Sequence, residues 1–558
     1  MWHRLSRAAH ARCRHSQPHA HVFRACLTSS SRTAVPLHKL PITAEEHVAW
    51  REQTEVYRRV LRVRDHDATR AHNIVKTNAS SQLTAAWSVS TSLFFCRDGS
   101  QGSTAIDPDR LAGCIETKLL PELPYLAGRL TGTGWLQPHR ETAILCNNAG
   151  IELAYAKVPA HLKIQDFGPP TWPGPMARCS LFSTPAPFFA EPPISGKGSA
   201  AGGPLLKLRL TSCSNGDILS ITVSHLVADG RHELHLLRRL SELYRGTLGT
   251  PLAGTTQACS YDALRPALPP PPPGWKPTGL DPRLTPAQWA SLPCAFWRFV
   301  AAEQGVHTIH LPREAVERIR EVAGGGPIPG PPVSSLDAVQ AFLAVLVNSL
   351  GGKPLVARAP ALLTVNVELL HARLGLAPRV AHQLERAMGN TIQILQVPGL
   401  TPEDARSGLA MPTGASEVST LEAAVQINAR LIRRRLIAVR ADVTGTLQAL
   451  HEQEEMASLP RPLLAANFIA KGDSLKTCAT SAVTAYPFHE IDFGAGKLKY
   501  MHGFTNPWFE RFAYIKPALG FGTGLLIQLA IPAAHASTIA LHPLWSLMAP
   551  NAKVYSPA

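Results

Sequence analysis

A histidine four residues ahead of an aspartate and a glycine is the part of this chain best suited to move a proton. It occurs in Ser224-His225-Leu226-Val227-Ala228-Asp229-Gly230. The apolar run 219–223 reads as a strand that delivers His225 to its end, just before an amphipathic helix. Strand ends are where a rigid scaffold can present a reactive side chain, and imidazole is suited to take a proton near neutral pH. The spacing alone is met equally by a histidine that only shapes a turn, so catalysis and turn structure both stand as readings at this point.

Other clusters are weaker. His232 and His235 lie close to His225, but no fourth ligand accompanies them; no metal site is expected, and both read as lying on a solvated helix face. Asp166-Phe167-Gly168 copies a kinase triplet without the glycine-rich loop that would give it meaning, and reads as a turn. Arg433, Arg434 and Arg435, with Arg440, offer charge for phosphate groups; a solvated helix face is the expected reading. No serine or cysteine has the setting of an activated nucleophile.

The elements that must hold these residues follow from hydropathy patterning. Residues 87–95 (WSVSTSLFF) alternate as a strand does. A helix is expected over 107–120, with Asp107 as N-cap and Pro108 in its first turn. Segments 143–146 and 151–158 flank Asn147-Asn148-Ala149-Gly150 and read as a hairpin. Strands at 205–210 and 218–223 lead into a helix over 231–244. Its apolar stripe is Leu234, Leu237, Leu240 and Tyr244, while Arg238, Arg239 and Glu242 are expected to face water. The second half repeats the mixed pattern, with strands at 307–311, 362–367 and 524–531 and helices at 313–322, 334–350 and 417–455. The charges of Arg51, Glu52, Glu55, Arg58 and Arg59 point to an exposed helix over 43–70.

Composition bounds the class. With 558 residues, 45% hydrophobic and 17% charged, the chain is long enough for two globular domains. No run reaches the roughly 18 apolar residues of a membrane span. Ten cysteines without CxxC spacing suggest reduced thiols. The first forty residues hold seven basic and no acidic side chains, so they supply +7 of the net +15. This pattern is expected of a transit peptide to mitochondrion or plastid, with the cytoplasm as the alternative. Without it the body is mildly basic and carries no nucleic-acid module. The expected division is a leader at 1–40, a helical extension at 41–70, a first domain at 71–250, a proline-rich crossover at 251–304 and a second domain at 305–558.

A second motif, Asp492-Phe493-Gly494-Ala495-Gly496, adds to the first. Together they resemble the HxxxD and DFGWG elements of the BAHD acyltransferases. LLPELPYLAGRL (119–130), CNNAGIELAYAKV (146–158), the 275–282 crossover and MGNTI (388–392) extend the resemblance collinearly, so that it runs from about 73 to 539. It implies two similar chloramphenicol-acetyltransferase-like α/β domains with mixed sheets, joined by the proline-rich crossover, with an active-site channel between them. The implied reaction moves an acyl group from acyl-CoA, as co-substrate, to a hydroxyl or amine of a small acceptor. His225 is the implied general base. Asp229, Gly230, Asp492, Phe493, Gly494 and Gly496 are implied to be structural, with Asp229 paired to an arginine of the second half and the Asp492 loop shaping the CoA entrance. No metal or redox cofactor and a monomeric state are implied. Ala495 stands where the family has tryptophan, and Glu368 where the paired arginine is expected, with Arg373 nearby. Condensation-domain-like transfer from a carrier-bound thioester and thioester binding without turnover are the alternatives.

Overall fold

The alternation of Ser88-Val89-Ser90-Thr91-Ser92-Leu93 makes a two-faced strand, and the two faces meet different partners. In a computed structural model, the structure describes residues 52–64, 74–76, 88–97, 104–132, 137–167, 203–247, 286, 289–290, 304–325, 331–350, 361–366, 392–397, 417–441, 453–460, 478–503 and 511–555. The first sheet joins β1 (Glu55–Leu61), β3 (Ser88–Cys96), β6 (Ile151–Lys157), β7 (Leu206–Cys213), β8 (Gly216–Ser224) and β13 (Lys497–Gly503), in the order β1-β6-β7-β8-β3-β13. A small sheet holds β2 (Ile74–Lys76), β4 (Arg129–Thr131) and β5 (Ala143–Leu145). On one face of the first sheet, Leu93, Phe95, Leu219, Ile221 and Val223 share a core with Leu234, Leu237 and Leu240. The other face carries hydroxyls paired across the strands, Ser90 with Thr222 at 2.9 Å and Ser92 with Ser220 at 2.6 Å.

Two helices serve this sheet. In α1 (Pro108–Cys114), Asp107 accepts from the backbone N–H groups of Asp109 and Arg110, as its position predicts. The other is α2 (Gly230–Arg245), closed by Gly246 at φ 76°.

The second sheet joins β9 (Gln304–Leu311), β10 (Ala361–Asn366), β11 (Ile392–Val397), β12 (Cys478–Ala482), β14 (Phe512–Pro517), β15 (Leu525–Pro532) and β16 (Lys553–Tyr555). Its order is β11-β10-β12-β14-β15-β9-β16. One of its faces shares a core with α3 (Arg313–Gly324), α4 (Ser335–Ser349), α5 (Glu417–Ala441) and α6 (Pro543–Met548). Ser334 opens α4 with a reciprocal capping box to Asp337. Both sheets mix parallel and antiparallel pairs, so the α/β class with mixed sheets holds. Strand β13 comes from the C-terminal half yet completes the first sheet by pairing with β3. No helix among the described residues is long and apolar enough to cross a membrane.

Several sequence expectations give way. Residues 55–61 form edge strand β1, antiparallel to β6, instead of continuing a helix. A register shift between Glu55 and Tyr57 brings Glu55 and Arg58 together at 2.7 Å, an i,i+3 ion pair that charge spacing alone cannot tell from a helical one. The Asn147–Gly150 segment is not a hairpin, because β5 and β6 lie in different sheets. Asn148 instead pairs with the Val63 backbone through both its amide oxygen and nitrogen, and Gly150 (φ 97°) lies against Leu61. Arg239 does not face water: it is buried against Glu122 at 2.6 Å. The leader, most of the 251–304 crossover, Glu368, Arg373 and residues 388–391 lie outside the described residues.

Candidate active site

Strand β8 ends at Ser224, so His225 is the first residue beyond the ladder. The turn is fixed by backbone bonds, Ser224 N–H to Leu205 O at 2.8 Å and Val227 N–H to Ser224 O at 3.0 Å. His225 is partly exposed, whereas Leu226, Val227 and Ala228 are buried. Desolvation holds its imidazole below the ordinary histidine range, while the Asp229 charge and a bond to its own backbone carbonyl pull the other way. Only Nδ1 is near enough to its own carbonyl to make that bond. Nε2 is then the nitrogen that can take a proton.

Asp229 is the N-cap of α2. Its Oδ1 accepts from Arg231 N–H and His232 N–H, each at 3.0 Å, and lies 2.7 Å from His232 Nδ1. His232 is fully buried, which corrects its expected place on a solvated face. The side chain at the third helical position folds back onto the cap and is buried there. Gly230 leaves room for the second half of the chain: a Cβ there would stand 3.1 Å from Val483 Cγ1 and 3.9 Å from the Tyr514 hydroxyl. The His225 turn therefore lies where the two sheets meet.

Glu233 adds an acid to this junction. It is buried, and Thr91 Oγ1 donates to its Oε2 at 3.0 Å while its Oε1 has no hydrogen-bond partner. Burial, with the Asp229 charge beside it, pushes its carboxyl up to about 8. The folded protein thus holds this proton more tightly than the unfolded chain. Its stabilising effect is full below about pH 4.5, the group's ordinary value, and fades as pH rises to about 8. Glu233→Gln is expected to overtake the wild type in stability across that window, by on the order of a few kcal/mol at pH 8. Denaturation midpoints of both proteins from pH 5 to 8.5 check this, and parallel curves would remove the buried acid.

The second motif is held by the far end of α2. Arg245 pairs with Asp492, Arg238 pairs with Glu490 at 2.9 Å, and Asp492 Oδ1 accepts from Gly494 N–H at 2.7 Å. Phe493 packs its ring against Phe95 and Tyr244. Gly496, at φ 99°, lies against the backbone of Cys96. Cys96 and Ser88 are opposite ends of β3, and Ser88 pairs with Ser224 beside His225. At about 3.3 Å per residue the two motifs are roughly 25 Å apart. A side chain at position 495 cannot reach a group bound at His225, so Ala495 removes no donor from that site. Ala495 is fully buried in the first core.

Sequence reasoning missed Glu233, Tyr514 and Lys516. Lys516 is fully buried at the seam, with Nζ 3.5 Å from Gly503 O, and burial lowers it to about 7. Only the pairing of β13 into the first sheet brings it there, and no local pattern signals that. The phosphate reading of the arginine run loses Arg433, which pairs at 2.5 Å with buried Asp337; the solvated-face reading fails for it too. Asp166 is the turn residue expected, accepting from Lys163 N–H at 2.7 Å. Among the described residues no group of three His, Cys, Asp or Glu is arranged to hold a metal ion.

Residues 115–272, the stretch with the His225 motif, match the model of the Transferase family, that of the BAHD acyltransferases. No curated protein matches the chain. Among solved structures it is similar to TRI101 of F. sporotrichioides, complexed with coenzyme A and T-2. The TM-score is 0.56 at 15% identity, over 86% of this chain and 99% of that one. TRI101 of F. graminearum, complexed with coenzyme A and deoxynivalenol, gives 0.56 at 14% identity, over 86% and 99%. Vinorine synthase gives 0.52 at 15%, over 88% and 98%. The resemblance to BAHD acyltransferases read from the motifs is borne out, and the fold is their two-domain, chloramphenicol-acetyltransferase-like one.

Proposed function

We propose that this protein transfers an acyl group from a coenzyme A thioester to a hydroxyl or amine of a small acceptor, with His225 as general base. The observation that carries the reading is the imidazole at the end of β8. It is partly exposed where the sheets meet, and desolvation lowers its proton affinity against the opposing pull of the Asp229 charge. The similarity to proteins crystallised with coenzyme A and a small acceptor supports the choice of substrates.

In this reading the acceptor O–H or N–H gives its proton to His225 Nε2 as its heteroatom attacks the thioester carbonyl. The Asp229 charge stabilises the imidazolium so formed. The tetrahedral intermediate collapses with loss of the C–S bond, and the imidazolium returns its proton to the coenzyme A thiolate. No metal or redox cofactor takes part. The protein is proposed to act as a monomer, and the acid-free first forty residues to direct it to an organelle.

The test is to incubate the protein with a panel of CoA thioesters and small alcohols, phenols and amines, following free CoA and acylated product by mass spectrometry. Product from at least one pair is expected, and none from any donor would end the reading. The pH profile carries a second expectation. A base must be unprotonated, and burial lowers this one, so kcat/KM should hold as pH falls past 6.5 and decline only below it. A decline centred above 6.5 would point to another base.

A further inference from the structure

We infer that the joint between the two sheets is proton-sensitive, with Lys516 as its sensor: closing the joint is costly whenever this amine carries its charge. Lys516 lies on β14 of the second sheet and is fully buried, and its Nζ donates to Gly503 O of β13, in the first sheet, at 3.5 Å. A second contact crosses the joint beside it. Gln528 Nε2 of β15 lies 3.5 Å from His502 Nε2 of β13, and His502 Nδ1 lies 2.9 Å from Tyr500 Oη. All of these side chains are buried. The absence of a side chain at Gly503 is what lets the strands approach: a Cβ there would stand 3.0 Å from Tyr514 Cε1 and 3.6 Å from Lys516 Nζ.

An ammonium group has three donors, and the joint offers it one long bond. Among the described residues no acid pairs with Lys516, and burial lowers it from the ordinary 10.5 to about 7. The groups around it supply no counter-charge. On β13, burial and the Lys516 charge hold His502 well below the ordinary histidine range, and burial raises Tyr500. On β14 itself, burial keeps the Tyr514 phenol protonated. Beyond Leu526, the β15 partner of Lys516, stands His310 of β9, also lowered by burial. On its other side β14 meets β12, which sets Ser481 beside Tyr514. Glu233, bonded to the Thr91 partner of Gly503, has its carboxyl pushed up to about 8.

A solvated lysine holds its proton more tightly than Lys516 does in the closed joint. Below about pH 7 the amine is charged in both states, and closing bears the full cost of burying that charge. Between about 7 and 10.5 closing releases a proton, and it becomes up to about tenfold more favourable per pH unit. Tyr514, two residues before Lys516 on the same strand, stands over Gly230. The joint therefore sets how firmly the second sheet is held against the turn that carries His225, whatever reaction that turn performs.

The experiment is an NMR titration of the lysine side chains in labelled full-length protein, with Lys516→Met to assign the signal. Lys516 should titrate near pH 7, and a midpoint at the ordinary 10.5 would overturn the proposal. Gly503→Val drives a branched side chain between β13 and β14, and in this variant the Lys516 midpoint should climb back towards 10.5. An unmoved midpoint would show that the amine is buried independently of the joint, and would end the proposal as well. Denaturation gives a second readout. The unfolding constant of the wild type, divided by that of Lys516→Met, should be level below pH 7 and fall by up to about tenfold per unit from 7 to 10. A ratio that stays constant over that range would contradict the inference. Should Lys516→Met not fold, Lys516→Gln takes its place, and Gly503→Ala is the smaller wedge if the valine is not tolerated.

Discussion

Replacing His225 by alanine is expected to lower acyl transfer by about 10²–10⁴-fold, the usual worth of a general base, while thioester binding and stability stay near wild type. Stability should hold because the turn is closed by the Ser224, Val227 and Leu205 backbone groups, which the substitution leaves in place. Residual transfer would come from holding donor and acceptor together, a contribution that does not need the base. Rates measured on the best donor–acceptor pair, beside calorimetric binding of the donor, separate these effects. A variant that binds the thioester as before and still turns over at near the wild-type rate would remove His225 from the chemistry. It would leave the histidine as a turn residue, the alternative its spacing always allowed.

The comparison of His225 with His232 shows what was legible in the sequence. A strand-end histidine before a glycine and an amphipathic helix could be read locally, because each part depends on residues a few positions away. So could the Asp107 and Ser334 caps and the Leu234, Leu237, Leu240 stripe, all of which the structure contains. His232 looked like a solvent-facing residue because the helix period alone does not reveal how wide the buried face is. Three sides of α2 are covered, by the first sheet, by α1 and by the 483–493 segment, so even Arg239 is buried with its own acidic partner. In such a helix the polar residues are paired one by one, and pairing depends on chain that is distant in sequence.

Non-local pairing also explains the other departures. The charges of 51–59 suit an exposed helix or an edge strand, and only β6, some 90 residues later, decides between them. The Asn-Asn-Ala-Gly turn has hairpin chemistry, but Asn148 is used to hold Val63, and the chain leaves one sheet for another there. The second motif marked a family resemblance correctly but not a place near the first. It lies one strand length from His225, and its work is to admit β13 to the first sheet. What Ala495 does to catalysis is therefore a question of packing in the first core, not of a missing hydrogen bond.

That work of the second motif has a large expected cost when it fails. Gly496→Ala is expected to destabilise the protein by about 2–6 kcal/mol, combining the strain of a positive φ with overpacking. Gly494→Ala, two residues away, should cost only about 1–2 kcal/mol. Both glycines have positive φ, 99° and 74°. They differ in their surroundings: a Cβ on Gly496 would stand 2.1 Å from Cys96 O and 2.8 Å from Cys96 C, whereas one on Gly494 meets nothing within 4 Å. The obstructing atoms at 496 are backbone at the end of β3 and cannot turn aside as a side chain does. The chain must instead move out at the point where Lys497 pairs with Cys96. The displacement strains the β13 ladder and the packing of Tyr500 on Phe94, and with them the seam where Tyr500 meets His502 at 2.9 Å. Thermal and urea midpoints of the two alanine variants, measured side by side, test this. A large loss confined to Gly496→Ala is the expected result, and equal small losses would mean that β13 can shift without harm to the sheet it joins.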